Sequence, residues 1–516
     1  MQTEKEYLTS REIISLRSDS VGEYSLPDYN GDVKKILAVK TKVYPTGKFV
    51  GDETLEFSGS VGYEIVYIDG ENNITHTEFT TDYDAAVKIN AESYVDSDVK
   101  TCVSGCNVRL VGPRKLSVKA SLDSDIVIGE RKVYEIDGDA FSEYEPQTLS
   151  SYADIIEVAF AVGEPREINE ELIAIEGAIA DEVELLISDA RFLSDAVECD
   201  GESVTLKGKL MVSALVRNAD EQPRTVTKEI AFSEAMTVSD PETFSSLDAR
   251  CDISSFKTTL TPTEDGVSVS VALAVTPSAC LKKNNRLKLI TDSYLKERGC
   301  ENEYSEFGYT EHLCTESKEE LFEVKRNLSE LGIEVFGDII YAEAQPRVEK
   351  SEINENTVEI EGELRFSAIA CQVSESGEQQ YYPIRFSVPF TQNVNINCQI
   401  HDNMRIKTTV DASGTKINLD DNSIMASVVL KTFVTLDSER KQRCLSASYI
   451  TDEEYFKDDS VVTVYYPDAS ESLFSIAKRF HTSVVEIAES NSISESVFSS
   501  FDAPLGGSGV KKLLIK

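Results

Sequence analysis

Apolar and polar residues alternate along three stretches of this chain, each time around one glycine. The first stretch places Leu55, Phe57, Gly59, Val61, Tyr63, Ile65 and Tyr67 on one phase. The second places Val204, Leu206, Gly208, Leu210, Val212, Ala214 and Val216. The third places Val358, Ile360, Gly362, Leu364, Phe366, Ala368 and Ala370. A two-residue period sustained over about a dozen residues predicts a strand with one buried face. On that face a missing side chain permits a bulge or the close approach of a facing sheet. The glycines recur at intervals of 149 and 154 residues (59 to 208, 208 to 362). Turn signals follow at Asp69-Gly70, Asn218-Ala219-Asp220 and Ser376-Gly377, and each leads into another extended run, the pattern of a hairpin. Further alternating runs at 116–120, 267–273 and 424–430 lie at similar distances beyond the glycines. The chain is therefore expected to be mainly β, with three tandem repeats, each a sandwich or barrel. Stretches near 133–155 and 285–325, rich in Glu, Tyr and Ser, are expected to be connectors. Within 315–332, Leu321, Val324, Leu328 and Leu331 fit one face of a short helix.

The period changes after residue 461. A strand-like run, Val461 to Tyr466, is followed by Leu473, Ile476, Ala477 and Phe480, spaced as one helical face behind Ser472 as N-cap. Ser483 and Glu486 then form a capping box ahead of Val484, Ile487 and Ala488, and Asn491 is placed to end that helix. Gly506, Gly507 and Gly509 lead into an apolar closing strand. The predicted order is β-α-α-β in about 55 residues, a size that suits a binding module better than an enzyme.

Composition narrows the function. Among 516 residues, 91 are acidic and 51 basic, a formal charge of −40. Such a field disfavours nucleic acid and anionic lipid as partners. Residues 461–516 hold five basic and six acidic residues, so the excess lies in the repeats. There is no run of apolar residues long enough for a membrane helix, and the charged N-terminus lacks the apolar core of a signal peptide, so a cytoplasmic protein is expected. Ten cysteines are spread along the chain; the close pair, Cys102 and Cys106, has no second Cys/His pair to complete a zinc site, and free thiols are expected. Four histidines (His76, His312, His401 and His481) stand in no nucleophile–base arrangement, and phosphate-binding glycine motifs are absent from the sequence. No cofactor or metal and no enzymatic activity are expected.

The run from Tyr465 through Val484, with Asn491 after it, resembles a LysM domain. The resemblance implies a shallow groove for N-acetylglucosamine chains between two loops. By position the first loop is Asp468, Ala469, Ser470, Glu471 and Ser472, and the second, longer than usual, begins at Asn491, Ser492 and Ile493. Ser470 stands where the family usually has glycine, and Phe474 where it has tryptophan. A terminal LysM behind three acidic β-repeats resembles the SipL-type proteins of spore-forming bacteria, which carry SPOCS domains. That resemblance divides the chain into an N-terminal segment (1–32), three SPOCS-like β-domains (33–150, 151–300 and 301–458) and a LysM domain (459–516). It implies a non-enzymatic scaffold of spore coat assembly, made in the mother cell and located at the developing spore surface. The LysM domain would dock a coat morphogenetic protein, the basement-layer ATPase. The alternative is a protein that binds peptidoglycan glycan.

Overall fold

The computed structural model describes residues 4–515, apart from 29, 219–220, 240, 333–336, 376, 402, 421, 457–460, 494–501 and 508. The Ala219-Asp220 and Ser376 parts of the expected turns, and most of the expected second groove loop, lie outside the described residues.

The chain is mainly β, and six sheets of its body face one another in pairs. The first pair contains β1 (Glu4–Ser25), β2 (Val33–Val50), β3 (Thr54–Asp69), β4 (Ile74–Lys88), β5 (Tyr94–Gly112) and β6 (Lys115–Glu135). Its sheets run in the orders β2-β3-β4 and β1-β6-β5, and all pairings are antiparallel. The predicted buried phase of β3, including Leu55, Val61 and Tyr63, meets Leu116, Val118 and Leu122 of β6 in one core. Residues 4–25 pair with β6 and so belong to this body rather than standing apart from it.

A one-turn helix, α1 (Ala140–Glu143), leads into the second pair: β7 (Gln147–Val162), β8 (Arg166–Glu176), β9 (Val183–Asp200), β10 (Ser203–Asn218), β11 (Arg224–Thr237), β12 (Ser246–Pro262) and β13 (Gly266–Tyr294). Here β9-β10-β11 faces a sheet in which β7 and β8 pair with successive halves of β13. Pro165 separates them, since it fixes φ and offers no N–H to the ladder. The third pair contains β14 (Arg298–Asn327), β15 (Asp338–Asn354), β16 (Thr357–Val373), β17 (Gln379–Asn395), β18 (Met404–Asp420) and β19 (Ser423–Glu454), in the orders β15-β16-β17 and β14-β19-β18. The tail holds β20 (Thr463–Tyr465), α2 (Leu473–Arg479), α3 (Val484–Ser490) and β21 (Leu513–Ile515), with β20 and β21 antiparallel.

Two expectations are corrected. The segments near 133–155 and 285–325 are long strands rather than connectors: β6, β7, β13 and β14 run through most of them. Residues 315–327 are strand, with Phe322 and Val324 opposite Val428 and Ala426 of β19, while Leu321 faces outward. Pairing along nearly the whole of β19 overrides the local helical spacing.

Of the two roles expected for the three glycines, a bulge or the close approach of a facing sheet, the structure shows the bulge. A Cβ on Gly59 would lie 2.4 Å from the Tyr44 carbonyl oxygen; on Gly208 it would lie 2.3 Å from that of Leu193, and on Gly362 2.3 Å from that of Arg347. Each of these carbonyls belongs to the neighbouring strand of the same sheet, next to a bulge, and an aromatic ring also covers the glycine: Tyr83 and Phe390 from the strand on the other side, and Phe192 from the same strand as the carbonyl.

The sheet pairs meet at their inner sheets. Leu37, Val66, Leu186, Leu215, Ile340 and Ile369 form one apolar cluster contributed by β2, β3, β9, β10, β15 and β16. Lys40 sits beside it, with its ammonium 2.9 Å from Asp189 and 3.3 Å from Glu343. Burial alone would lower the Lys40 pKa, but Tyr341, Glu343 and Asp189 outweigh it and hold the group charged. A second buried cluster joins the outer sheets, where Lys282 of β13 lies between Glu12 of β1 and Asp437 of β19. His312 Nδ1 approaches Asp437 Oδ1 at 2.8 Å.

Candidate functional site

The expected groove residues fall into two separately anchored groups on the tail. Asp468, Ala469 and Ser470 are exposed at the tip of a turn closed by the Glu471 N–H, which donates to the Asp468 carbonyl. Glu471 is held inward. Its carboxylate accepts from the Tyr465 hydroxyl at 2.8 Å and the Asp468 N–H at 3.0 Å, and pairs with Arg479 at 2.7 Å. Burial would raise this carboxyl, but the Asp468 N–H, Tyr465 and Arg479 bring it below the usual glutamate range. Ser472 caps α2: its hydroxyl accepts from the Ser475 N–H, and Ser475 Oγ accepts from the Ser472 N–H. The turn is braced by the chain ahead of β21, where the Leu505 N–H donates to the Glu471 carbonyl and the Gly506 N–H to that of Ala469.

The second group is turned toward the module's own frame. Asn491 ends α3, donates to the carbonyls of Ile487 and Leu514, and accepts from the Leu514 N–H at 2.7 Å. Ser492 is exposed with φ of 53°, and Ile493 packs on the module's core. Asn491 thus locks a helix to a strand, whereas 468–470 present a free surface. Val464 of β20 and the residues that flank the strand, Val462 and Tyr466, alternate along the chain and are all exposed.

The opposite side of the module is docked on the body. Phe474 is buried edge-on against Tyr294, 5.3 Å between centroids, and the Tyr294 hydroxyl donates to the Thr482 carbonyl at 2.6 Å. Lys478 reaches both carboxylate oxygens of Asp292 at 2.7 Å. His481, with φ of 50°, stacks on Tyr455 at 3.5 Å. Sequence reasoning missed this contact, because the partners of Asp292 and Tyr294 lie 186 and 188 residues further on.

A cleft of about 560 Å³ lies between the first and third sheet pairs, lined by Ile36, Val39, Phe366 and Phe386 with Arg365 and Arg385. Its charged groups already have partners: Glu343 holds Lys40 and Tyr341, Arg365 pairs with Glu363, and Arg385 donates to the Leu37 carbonyl.

Two segments of the body, 32–111 and 337–420, cover β2 to β5 and β15 to β18, the inner sheet and the next strand of the first and third pairs. Both match one family model, that of the SipL, SPOCS domain. Together they span about a third of the chain, so similarity to SipL is established over those segments. No curated protein and no solved structure matches the chain. Among the described residues, no helix is long and apolar enough to cross a membrane.

Proposed function

We propose that this protein is a non-enzymatic scaffold of the spore coat, acting at the surface of the developing spore within the mother cell. In this reading the three sheet pairs are three SPOCS-like domains and the tail is a LysM-like docking module for a coat morphogenetic protein, the basement-layer ATPase. The match of 32–111 and 337–420 to one SPOCS family model carries the reading. The middle pair is taken as a third copy because Leu37, Leu186 and Ile340, like Val66, Leu215 and Ile369, keep the glycine intervals of 149 and 154 residues (37 to 186 to 340; 66 to 215 to 369). Similar spacing brings equivalent positions together at one junction, as expected for related domains packed around a centre.

The tail's geometry supports docking through the exposed 468–470 turn and the apolar face of β20, since its other side is held by Asp292 and Tyr294. Repeated domains with one adaptor gain avidity in an assembled layer through effective concentration. The test is capture of the basement-layer ATPase by the immobilised full-length protein, alongside titration with chito-oligosaccharide. Capture that is lost in Ser470→Trp and Tyr466→Asp variants is the expected result. Saturable glycan binding without ATPase capture would replace this reading with that of a peptidoglycan-binding protein.

A further inference from the structure

Cys314 and Cys398 are distant in sequence but adjacent in the third sheet pair. Cys314 follows a bulge in β14, where the ladder to β19 slips between His312 and Cys314 and so re-aims the side chain. Cys398 lies in the connection from β17 to β18. Their sulfurs are 2.9 Å apart, and both are free, half-buried thiols. The same connection is tied to β14 by the Asn397 side-chain amide, which donates to Glu316 Oε1 at 3.1 Å. This contact registers the connection against β14 independently of the thiols.

We infer that Cys314 and Cys398 form a modification site at which mild oxidation closes a disulfide. The oxidant class is a peroxide. The Cys398 sulfur attacks one peroxide oxygen; an S–O bond forms as the O–O bond breaks, leaving a sulfenic acid and one water. The Cys314 sulfur then displaces the sulfenic oxygen: the S–S bond forms, the S–O bond breaks, and the Cys314 proton leaves with that oxygen as water. Two thiols and one hydrogen peroxide give one disulfide and two waters. Burial, and then the adjoining Cys398 sulfur, push the Cys314 thiol up, and the product is the same whichever sulfur reacts first. The product bridges the outer strand β14 to the exit of the inner sheet and encloses β15, β16 and β17 in one covalent loop.

Cys102 and Cys106, the close pair by number, are not a competing site. They lie four residues apart along the extended strand β5, roughly 10–13 Å at 3.3 Å per residue, beyond the reach of a disulfide at about 7 Å between Cα atoms.

The test treats the full-length protein with hydrogen peroxide at low molar excess, blocks remaining thiols, and maps the digest by mass spectrometry. Free thiols should fall from ten to eight, with a linked peptide pair carrying Cys314 and Cys398 that dithiothreitol separates. The thermal midpoint should rise by about 5 °C on oxidation, and Cys398→Ser should abolish both the link and the rise. Retention of ten thiols, or a link that maps to other cysteines, would overturn the assignment. The mapping on the unmodified sequence decides the matter even where Cys398→Ser folds poorly.

Discussion

Single residues hold this body together mainly where two sheet pairs touch. Arg250 of β12 makes a two-pronged contact with Asp98 of β5, at 2.7 and 2.8 Å, while its Nε meets Asp252. Burial alone would raise the Asp98 carboxyl, but hydrogen bonding and charge from Arg250 hold it below the usual aspartate range. A depressed carboxyl contributes stability that is complete above the ordinary value near 4 and is lost as pH falls through its folded value. Asp98→Asn should therefore cost about 3 kcal/mol at pH 7 in urea unfolding, with the difference from the unsubstituted protein shrinking in strongly acidic buffer. A pH-independent difference would assign the loss to packing. The glycines give a second residue-scale expectation. Gly208→Ala and Gly362→Ala drive a methyl group against a backbone carbonyl and should each cost about 1–3 kcal/mol, whereas Gly308→Ala, with nothing within 4 Å, should be neutral or slightly stabilising in the same assay.

At the scale of elements, the tail module is an appendage fixed by β13. Its helices are seven residues each, too short to persist without tertiary packing, and Tyr294 belongs to the apolar cluster that encloses them. Lys478→Ala combined with Tyr294→Phe should raise amide exchange across 473–490 at least several-fold while exchange in β10 and β16 stays unchanged. Equal exchange in both forms would mean that the module is stable without its dock. This element also shows how far the sequence could be read. Periodicity located both helices and the buried strands, because alternation reports a buried face, and Ser472 and Ser483 are the N-caps expected, although the reciprocal capping box forms at Ser472 and Ser475 rather than at Ser483 and Glu486. It could not show what lies against that face. The helix expected over 315–332 failed for this reason: Leu321, Val324, Leu328 and Leu331 fit a helical spacing, but the partner that decides the matter, β19, starts about a hundred residues later. The groove residues were legible as loop positions only. That Asn491 is consumed by β21 and Glu471 by Arg479 depends on closure of the module, which no local pattern encodes.

For the whole molecule, the central question is what fixes three sheet pairs in one arrangement, and the junction around Lys40 provides an answer. Lys40, Asp189 and Glu343 repeat the intervals of the glycines (40 to 189 to 343), a signal present in the sequence but disguised, since charged residues on strands ordinarily face water. Here they face one another behind Leu37, Leu186 and Ile340. Apolar burial alone would tolerate sliding between such surfaces, whereas one cation between two carboxylates defines a single register. Lys40→Met removes the cation that Asp189 and Glu343 share, leaving Glu343 without its ion pair and Asp189 with the more distant Lys42 (3.7 Å) and Arg191 (3.9 Å), which should cost about 3 kcal/mol at the junction. The three cores lie away from this point, so far-ultraviolet circular dichroism should retain its strand signal. Small-angle scattering should show a larger radius of gyration, and exchange should rise at Leu37, Leu186 and Ile340. The triple variant Lys40→Met, Asp189→Leu, Glu343→Met separates charge balance from mere occupancy of space. It leaves no charge at the three positions, and Lys42, which loses Asp189, keeps Glu64 at 3.5 Å, so it should regain part of the lost stability, but with looser register, seen as a persistently larger radius than in the unsubstituted protein. Full recovery of compactness would instead assign the arrangement to the surrounding apolar cluster, with the ion triad a tolerated passenger.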